Sequence, residues 1–148
     1  MISCDFSKQA LQRMHKFLEN PVTKLFDMTE GLPFANESAA VIIADLSLHY
    51  FSWQETQKIV ADIRRVLVKD GYLLARINSV RDSNHGAGQG AVIEDNFYCL
   101  DGRYKRFFNR EQLNELFKEW TFYYCAEYEM NRYKNSKILW EIAVKTLG

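Results

Sequence analysis

Apolar residues recur along this chain in two rhythms, and their alternation predicts helices and strands in turn. After Ser7, the residues Ala10, Leu11, Met14, Phe17 and Leu18 share one face of a 3.6-residue helix that Asn20-Pro21 stops. Residues 24–28 read as a short strand, and residues 29–38, with Gly31 and Pro33, as a loop. Residues 39–48 form a nearly unbroken apolar run, the pattern of a strand covered on both faces of a parallel sheet. A second helix is marked at both ends, by a Ser52/Glu55 capping box and by Gly71 after Lys69 as its stop. Ile59, Val60, Ile63, Val66 and Leu67 make its buried stripe, and residues 72–77 read as another buried strand.

Residues 78–104 are polar with little periodicity, and a segment of that length in a compact domain is expected to be a functional or mobile loop. A third helix is capped by Asn109, with Gln112 three residues on and Leu113, Leu116 and Phe117 turned inward. Residues 121–130 and 136–147 read as two long strands around the polar turn 131–135, an antiparallel hairpin. The expectation is one α/β domain over residues 1–148 with an antiparallel end.

Composition narrows the class. With 47% hydrophobic residues, ten Phe, eight Tyr and three Trp, the chain can build a core and is not disordered. Nineteen basic residues balance nineteen acidic ones, so no overall field draws nucleic acid or an anionic membrane surface. No apolar run approaches the ~20 residues of a membrane helix, and the start lacks the basic and apolar regions of a signal peptide. Cys4, Cys99 and Cys125 form no metal-ligand spacing and are expected as reduced, mostly buried thiols of a cytoplasmic protein.

In an open α/β sheet, ligands bind at the carboxyl ends of the strands, and short sequences at those ends carry a resemblance. They are Ser3-Cys4-Asp5-Phe6-Ser7 with Ala10-Leu11, Phe26-Asp27-Met28 with Gly31-Leu32-Pro33-Phe34, Ala44-Asp45-Leu46-Ser47-Leu48-His49-Tyr50, and Val66-Leu67-Val68-Lys69-Asp70-Gly71-Tyr72-Leu73. In order, these resemble the second strand and helix, the third strand with its LPF loop, the fourth strand end, and the LKPGG-type turn of class I S-adenosylmethionine (SAM) methyltransferases. The resemblance implies a Rossmann-like fold, mostly parallel with a C-terminal antiparallel hairpin, whose first β–α unit is missing. It implies SAM as cofactor and a small-molecule substrate.

The family's roles carry over position by position. Asp5 would accept hydrogen bonds from the ribose diol, since a carboxylate offers two acceptor oxygens to two hydroxyls. Phe6 would lie beside the adenine, Asp27 would meet its amino group, and the backbone N–H of Met28 would reach the ring. Asp45 and Leu46 would face the methionine moiety. His49 is the candidate for chemistry, as a neutral imidazole that accepts a proton from the nucleophile. Arg81, Asp82, His85, Tyr98, Arg103 and Tyr104 stand where relatives build a substrate lid. Gly86-Ala87-Gly88-Gln89-Gly90 shares only its letters with the family's cofactor loop, because it follows the fifth strand instead of the first, and is expected to be flexible. Tyr104-Lys105-Arg106 is expected to face solvent.

In relatives the first strand lies between the second and fourth. Without it, two strand edges need partners: each other, a second copy of the chain in a homodimer, or further encoded sequence. The leading function is methyl transfer from SAM. The second reading is a non-catalytic remnant that oligomerises or binds a partner. A nicotinamide-dependent oxidoreductase, which could also use Asp5 on a ribose, is disfavoured by the terminal hairpin and the LPF loop.

Overall fold

The computed structural model describes residues 1–147. Strand β1 (Ile2–Asp5) leads into helix α1 (Lys8–Met14), and β2 (Val22–Leu25) returns parallel to β1 with Ile2 opposite Val22 and Asp5 opposite Leu25. Ser7 caps α1 by accepting the Ala10 N–H at 3.2 Å. The helix ends earlier than its apolar stripe, and Leu11 alone among its residues is buried. Phe17 and Leu18 are exposed, because that end of the stripe meets no sheet surface on which to pack. The second strand also begins and ends earlier than expected. Asp27 already caps a 3-10 turn at Met28–Glu30, which removes residues 27 and 28 from the strand.

The main sheet runs β3 (Ala39–Asp45), β4 (Leu67–Asn78), β9 (Lys137–Thr146), β8 (Trp120–Met130) in space. β3 and β4 are parallel and joined by helix α2 (Trp53–Val66), while β4–β9 and β9–β8 are antiparallel. α2 begins at Ser52, whose hydroxyl accepts the Glu55 N–H and lies 3.1 Å from the Glu55 carboxylate. Ile59, Val60 and Ile63 then face the sheet, in one core with Leu73, Ile142 and Val144 among others, and Val66 is buried at the end of the helix. Helix α3 (Arg110–Leu116) carries the full Asn109/Gln112 capping box and adds Leu113, Leu116 and Phe117 to the same core.

Four expectations are corrected. β3 is not covered on both faces: Val41 is 51% and Ile43 68% exposed, because β3 bonds only to β4 and only its Ile42/Ala44 side meets the core. Gly71 does not stop α2. The helix ends at Val66 and the chain passes straight into β4, where Gly71 lies so close to β3 that a Cβ would meet the Ala40 carbonyl at 3.1 Å and the Val68 carbonyl at 2.9 Å. Much of segment 78–104 is ordered, as the antiparallel meander β5 (Ala91–Glu94), β6 (Phe97–Leu100), β7 (Arg103–Arg106), which polar outward positions hid from a periodicity reading. The thiols are less buried than expected: Cys4 is exposed and Cys99 and Cys125 are half-buried, all three free.

β1 and β2 pair only with each other, so the open edges of β1 and β3 do not satisfy one another. The pair is instead fastened through the loop that follows it. Asp62 on α2 accepts the Leu32 N–H at 2.5 Å, and Arg65 donates to the Leu32 and Phe34 carbonyls at 2.9 and 2.8 Å. No helix among the described residues is long and apolar enough to cross a membrane.

The Gly71 contact predicts that Gly71→Ala destabilises the fold by about 1–3 kcal/mol, the usual cost of overpacking. Urea denaturation measures this, and an unchanged midpoint would show that the β3–β4 approach tolerates a methyl group.

Candidate functional site

Parallel pairing brings Asp5 and Asp27 to one end of adjacent strands. The Phe26 N–H donates to the Asp5 carbonyl at 3.1 Å, so Asp27 lies just beyond the β1 tip. One Asp5 carboxylate oxygen accepts the Ser7 N–H at 2.8 Å, which fixes the side chain at the start of α1 and leaves the second oxygen without a protein donor. Asp27 behaves alike: a single oxygen takes both the Thr29 N–H and the Thr29 hydroxyl, at 2.9 and 2.7 Å. Those bonds hold its carboxyl below the usual range. Phe6 is 79% exposed and packs into no core. Met28 is half-buried against the α2 core.

The β3 tip is built differently. Asp45 stands opposite Arg76 across the parallel pair, and the guanidinium grips both carboxylate oxygens in a fork. Those hydrogen bonds hold the Asp45 carboxyl low. Each Asp45 oxygen thus already accepts one donor, whereas Asp5 and Asp27 each keep an oxygen free of protein donors. Leu46 follows at φ 54°, a left-handed conformation that a branched residue adopts at a cost, with its N–H bonded to the Arg76 carbonyl at 2.9 Å.

His49 lies beyond, buried, with Nδ1 accepting the Asn78 N–H at 3.3 Å. Burial first, then the ammonium groups of Lys137 and Lys105, push its pKa down to about 3. The ring is therefore neutral, and because Nδ1 accepts, the proton resides on Nε2. The bond the structure shows for this ring is an anchoring one, to the Asn78 backbone. In this tautomer the ring has no lone pair left on the nitrogen that Asn78 does not occupy.

A buried polar cluster at the β4 tip takes in Asp82, expected as a lid residue, with Asn78 and Lys137, which were not singled out from the sequence. Lys137 donates to the Asn78 side-chain oxygen and to the Asp82 carboxylate, both at 2.7 Å, and Asp82 also accepts the Ile138 N–H at 3.1 Å. Lys137 and Asp82 are both buried, so the pair depends on these additional hydrogen bonds to offset desolvation. Its one signal in the sequence is a lysine opening a mostly apolar strand. Arg106 is likewise buried, against the expectation of a solvent-facing cluster. It pairs with Glu94 at 2.6 Å and lies 4.7 Å over the Phe97 ring.

Of the substrate candidates, His85, Tyr98 and Arg103 line one open cleft of about 510 Å³ together with Lys105. Arg81 does not join them: it pairs with Glu127 at 2.6 Å. Tyr104 projects from the alternate face of β7, with its ring 5.8 Å from Phe97. A second concavity, of about 570 Å³, lies near Arg65, Val68 and Thr146 at the other end of β4 and holds none of the candidate residues.

This arrangement, a parallel β–α core closed by an antiparallel hairpin with its polar groups at the strand tips, is that of a methyltransferase. The methyltransferase-domain family matches residues 1–75, and the chain belongs to that family. Its fold superposes on a SAM-dependent methyltransferase from Methanosarcina mazei with a TM-score of 0.82 and 15% identity, over 99% of this chain and 81% of that one. A SAM-dependent methyltransferase from Clostridium acetobutylicum gives 0.69 and 17%, over 99% and 75%. The 1,6-didemethyltoxoflavin-N1-methyltransferase of Burkholderia thailandensis, solved with its 1,6-didemethyltoxoflavin and S-adenosylhomocysteine, gives 0.71 and 14%, over 99% and 61%. At such identities the likeness is one of fold, the Rossmann-like fold of class I methyltransferases. No curated protein matches the sequence.

The buried neutral imidazole sets a pH dependence. Unfolding restores the ordinary His pKa of 6.5, so between about 3 and 6.5 the unfolded chain binds more protons than the folded one and stability rises with pH. Lowering the pH from 7 to 5 should cost about 2 kcal/mol through this group. Urea midpoints at pH 5, 6 and 7 should show that slope in the native chain and a shallower one in His49→Gln. Equal slopes would mean that His49 titrates alike in the folded and unfolded chain.

Proposed function

We propose that this chain is a single methyltransferase domain that binds SAM and transfers its methyl group to a small-molecule acceptor. The observation that carries the reading is the state of the β1 and β2 tips. Asp5 and Asp27 each keep one carboxylate oxygen free of protein donors, beside an exposed Phe6 that core packing does not explain. Those groups fit an adenosyl moiety: two acceptors for ribose hydroxyls at Asp5, an acceptor for an amino group at Asp27, an apolar face at Phe6. The Met28 N–H completes the adenine edge, and the backbone carbonyls of Asp45 and Leu46 face the methionine end. The glycine-rich segment, Gly86–Gly90, lies before β5 in the chain, not after β1.

SAM supplies an electrophilic methyl group on a sulfonium. The chain's part is to align acceptor and methyl, which by itself accounts for much of the acceleration of such a transfer. In this reading His49 is a positioning residue: its Nε2–H donates to the acceptor or to a water, while Asn78 fixes the ring. Three free thiols suit a reducing compartment such as the cytoplasm.

Titration with S-adenosylhomocysteine tests the reading. Binding is expected, and Asp5→Asn, which keeps an acceptor for the Ser7 N–H but removes the charge, should weaken it about tenfold. No binding by the native chain would leave only the second reading, a methyltransferase-fold module that binds partners without catalysis.

One observation favours self-association alongside either reading. β1 and β3 each keep an unpaired edge, and Ile2, Val22, Val41 and Ile43 around them are at least half exposed. We infer a homodimer through these edges. Sedimentation should show a concentration-dependent dimer that Ile43→Lys disrupts, and a folded monomer at every accessible concentration would exclude it.

A further inference from the structure

The β6–β7 hairpin carries two different faces. Its register sets Phe97 opposite Arg106 and Cys99 opposite Tyr104, and on the alternate side Tyr98 opposite Lys105 and Leu100 opposite Arg103. The first face turns inward: Arg106 is buried over Phe97 and Trp53 and salt-bridged to Glu94. The second face is the floor of the 510 Å³ cleft, whose wall is the Asn84–Gly86 turn. The cleft volume is in the range of small-molecule sites, and Tyr98 and Leu100 are the apolar side chains in a lining that is otherwise mostly polar.

The charges on that floor are not balanced. Neither Arg103 nor Lys105 has a carboxylate partner among the described residues. Lys105 donates only to the His85 carbonyl, at 3.3 Å. Asp101 is the one acid on the lining, against two cations. Burial and the neighbouring Lys137 hold the Lys105 ammonium below its ordinary pKa, so a bound anion would relieve its isolation. Tyr98 and Leu100 supply apolar surface beside the cations, as an organic anion with a ring or aliphatic body requires and a bare inorganic ion does not.

We infer that this cleft binds a small organic anion, a carboxylate or phosphate carried on an apolar body, and that this is the methyl acceptor. As an acceptor site it rests on the methyl-transfer reading. The cleft adjoins the His49 segment: the Arg106 N–H, next along β7 from Lys105, donates to the His49 carbonyl at 2.8 Å, and the Lys105 ammonium is near enough to disfavour a charge on the His49 ring. Arg103 offers a planar fork to the anion and Lys105 a point charge, while the Tyr98 ring lies against the body.

Titration of the full chain with benzoate, phenyl phosphate and benzamide tests the inference without turnover. At least one anion should bind, benzamide should bind at least tenfold more weakly, and rising salt should weaken the anion alone. Arg103→Gln with Lys105→Gln should lower anion affinity at least tenfold. An intact thermal transition in this double variant, whose side chains lie at the surface of the cleft, separates that loss from unfolding. Equal binding of benzamide, no binding of either anion, or undiminished affinity in the double variant would overturn the inference. Anion binding without S-adenosylhomocysteine binding would keep the cleft and reject its role as acceptor site, which distinguishes failure of this inference from failure of the methyl-transfer reading.

Discussion

β4 lies in the interior of its sheet, where every N–H and C=O must find a partner because water cannot reach it. β3 satisfies one edge in parallel register and β9 the other in antiparallel register. That double pairing fixes what emerges at its carboxyl end. Asn78 arrives where its N–H meets His49, from the segment after β3, and its side chain meets Lys137 from β9. Asp82, just beyond, closes the cluster by accepting from both Lys137 and the Ile138 backbone. The polar centre of the molecule is thus built where paired strands end, from Asn78 and Lys137 on the strands and His49 and Asp82 on the segments that follow β3 and β4.

The burial of charge around that centre explains the behaviour of its groups. Lys137 is tolerated because Asp82 and Asn78 replace the water it loses. The same ammonium, with that of Lys105, makes a second positive charge at His49 unfavourable. A neutral imidazole between two cations, tied by Nδ1 to the backbone, is a rigid donor. Arg106 follows the same logic on the meander: carbonyls of Phe51 and Asp95, the Glu94 carboxylate and an aromatic face take the place of its hydration shell.

The other half of the molecule is loosely made by comparison. β1, β2 and α1 bury only Leu11, and their attachment depends on Arg65 and Asp62 gripping the Leu32–Phe34 loop. Open strand edges and exposed apolar residues there are costly to leave in water. Binding of a ligand or of a second chain at these tips would bury surface the isolated fold leaves exposed.

Elements whose signals are local were legible in the sequence. The Ser52/Glu55 and Asn109/Gln112 caps, the α2 stripe and the β8–β9 hairpin depend on residues a few positions apart, and short-range hydrogen bonds and periodicity determine them. The strand-tip residues Asp5, Asp27 and Asp45 were legible as motifs, and parallel pairing does bring the first two together. What they bond to was not, since Arg76 reaches Asp45 across 31 positions and Lys137 reaches Asp82 across 55. The exposure of Val41 and Ile43 was equally invisible, because an apolar run states that burial is favourable without stating whether a neighbour exists to provide it. The sequence by itself determined the helices, the long strands and which tips carry acids, but not the β5–β6–β7 meander. Only the tertiary structure decided which charges face each other, which tautomer His49 holds and which edges stay open, because those depend on contacts between residues far apart in the chain.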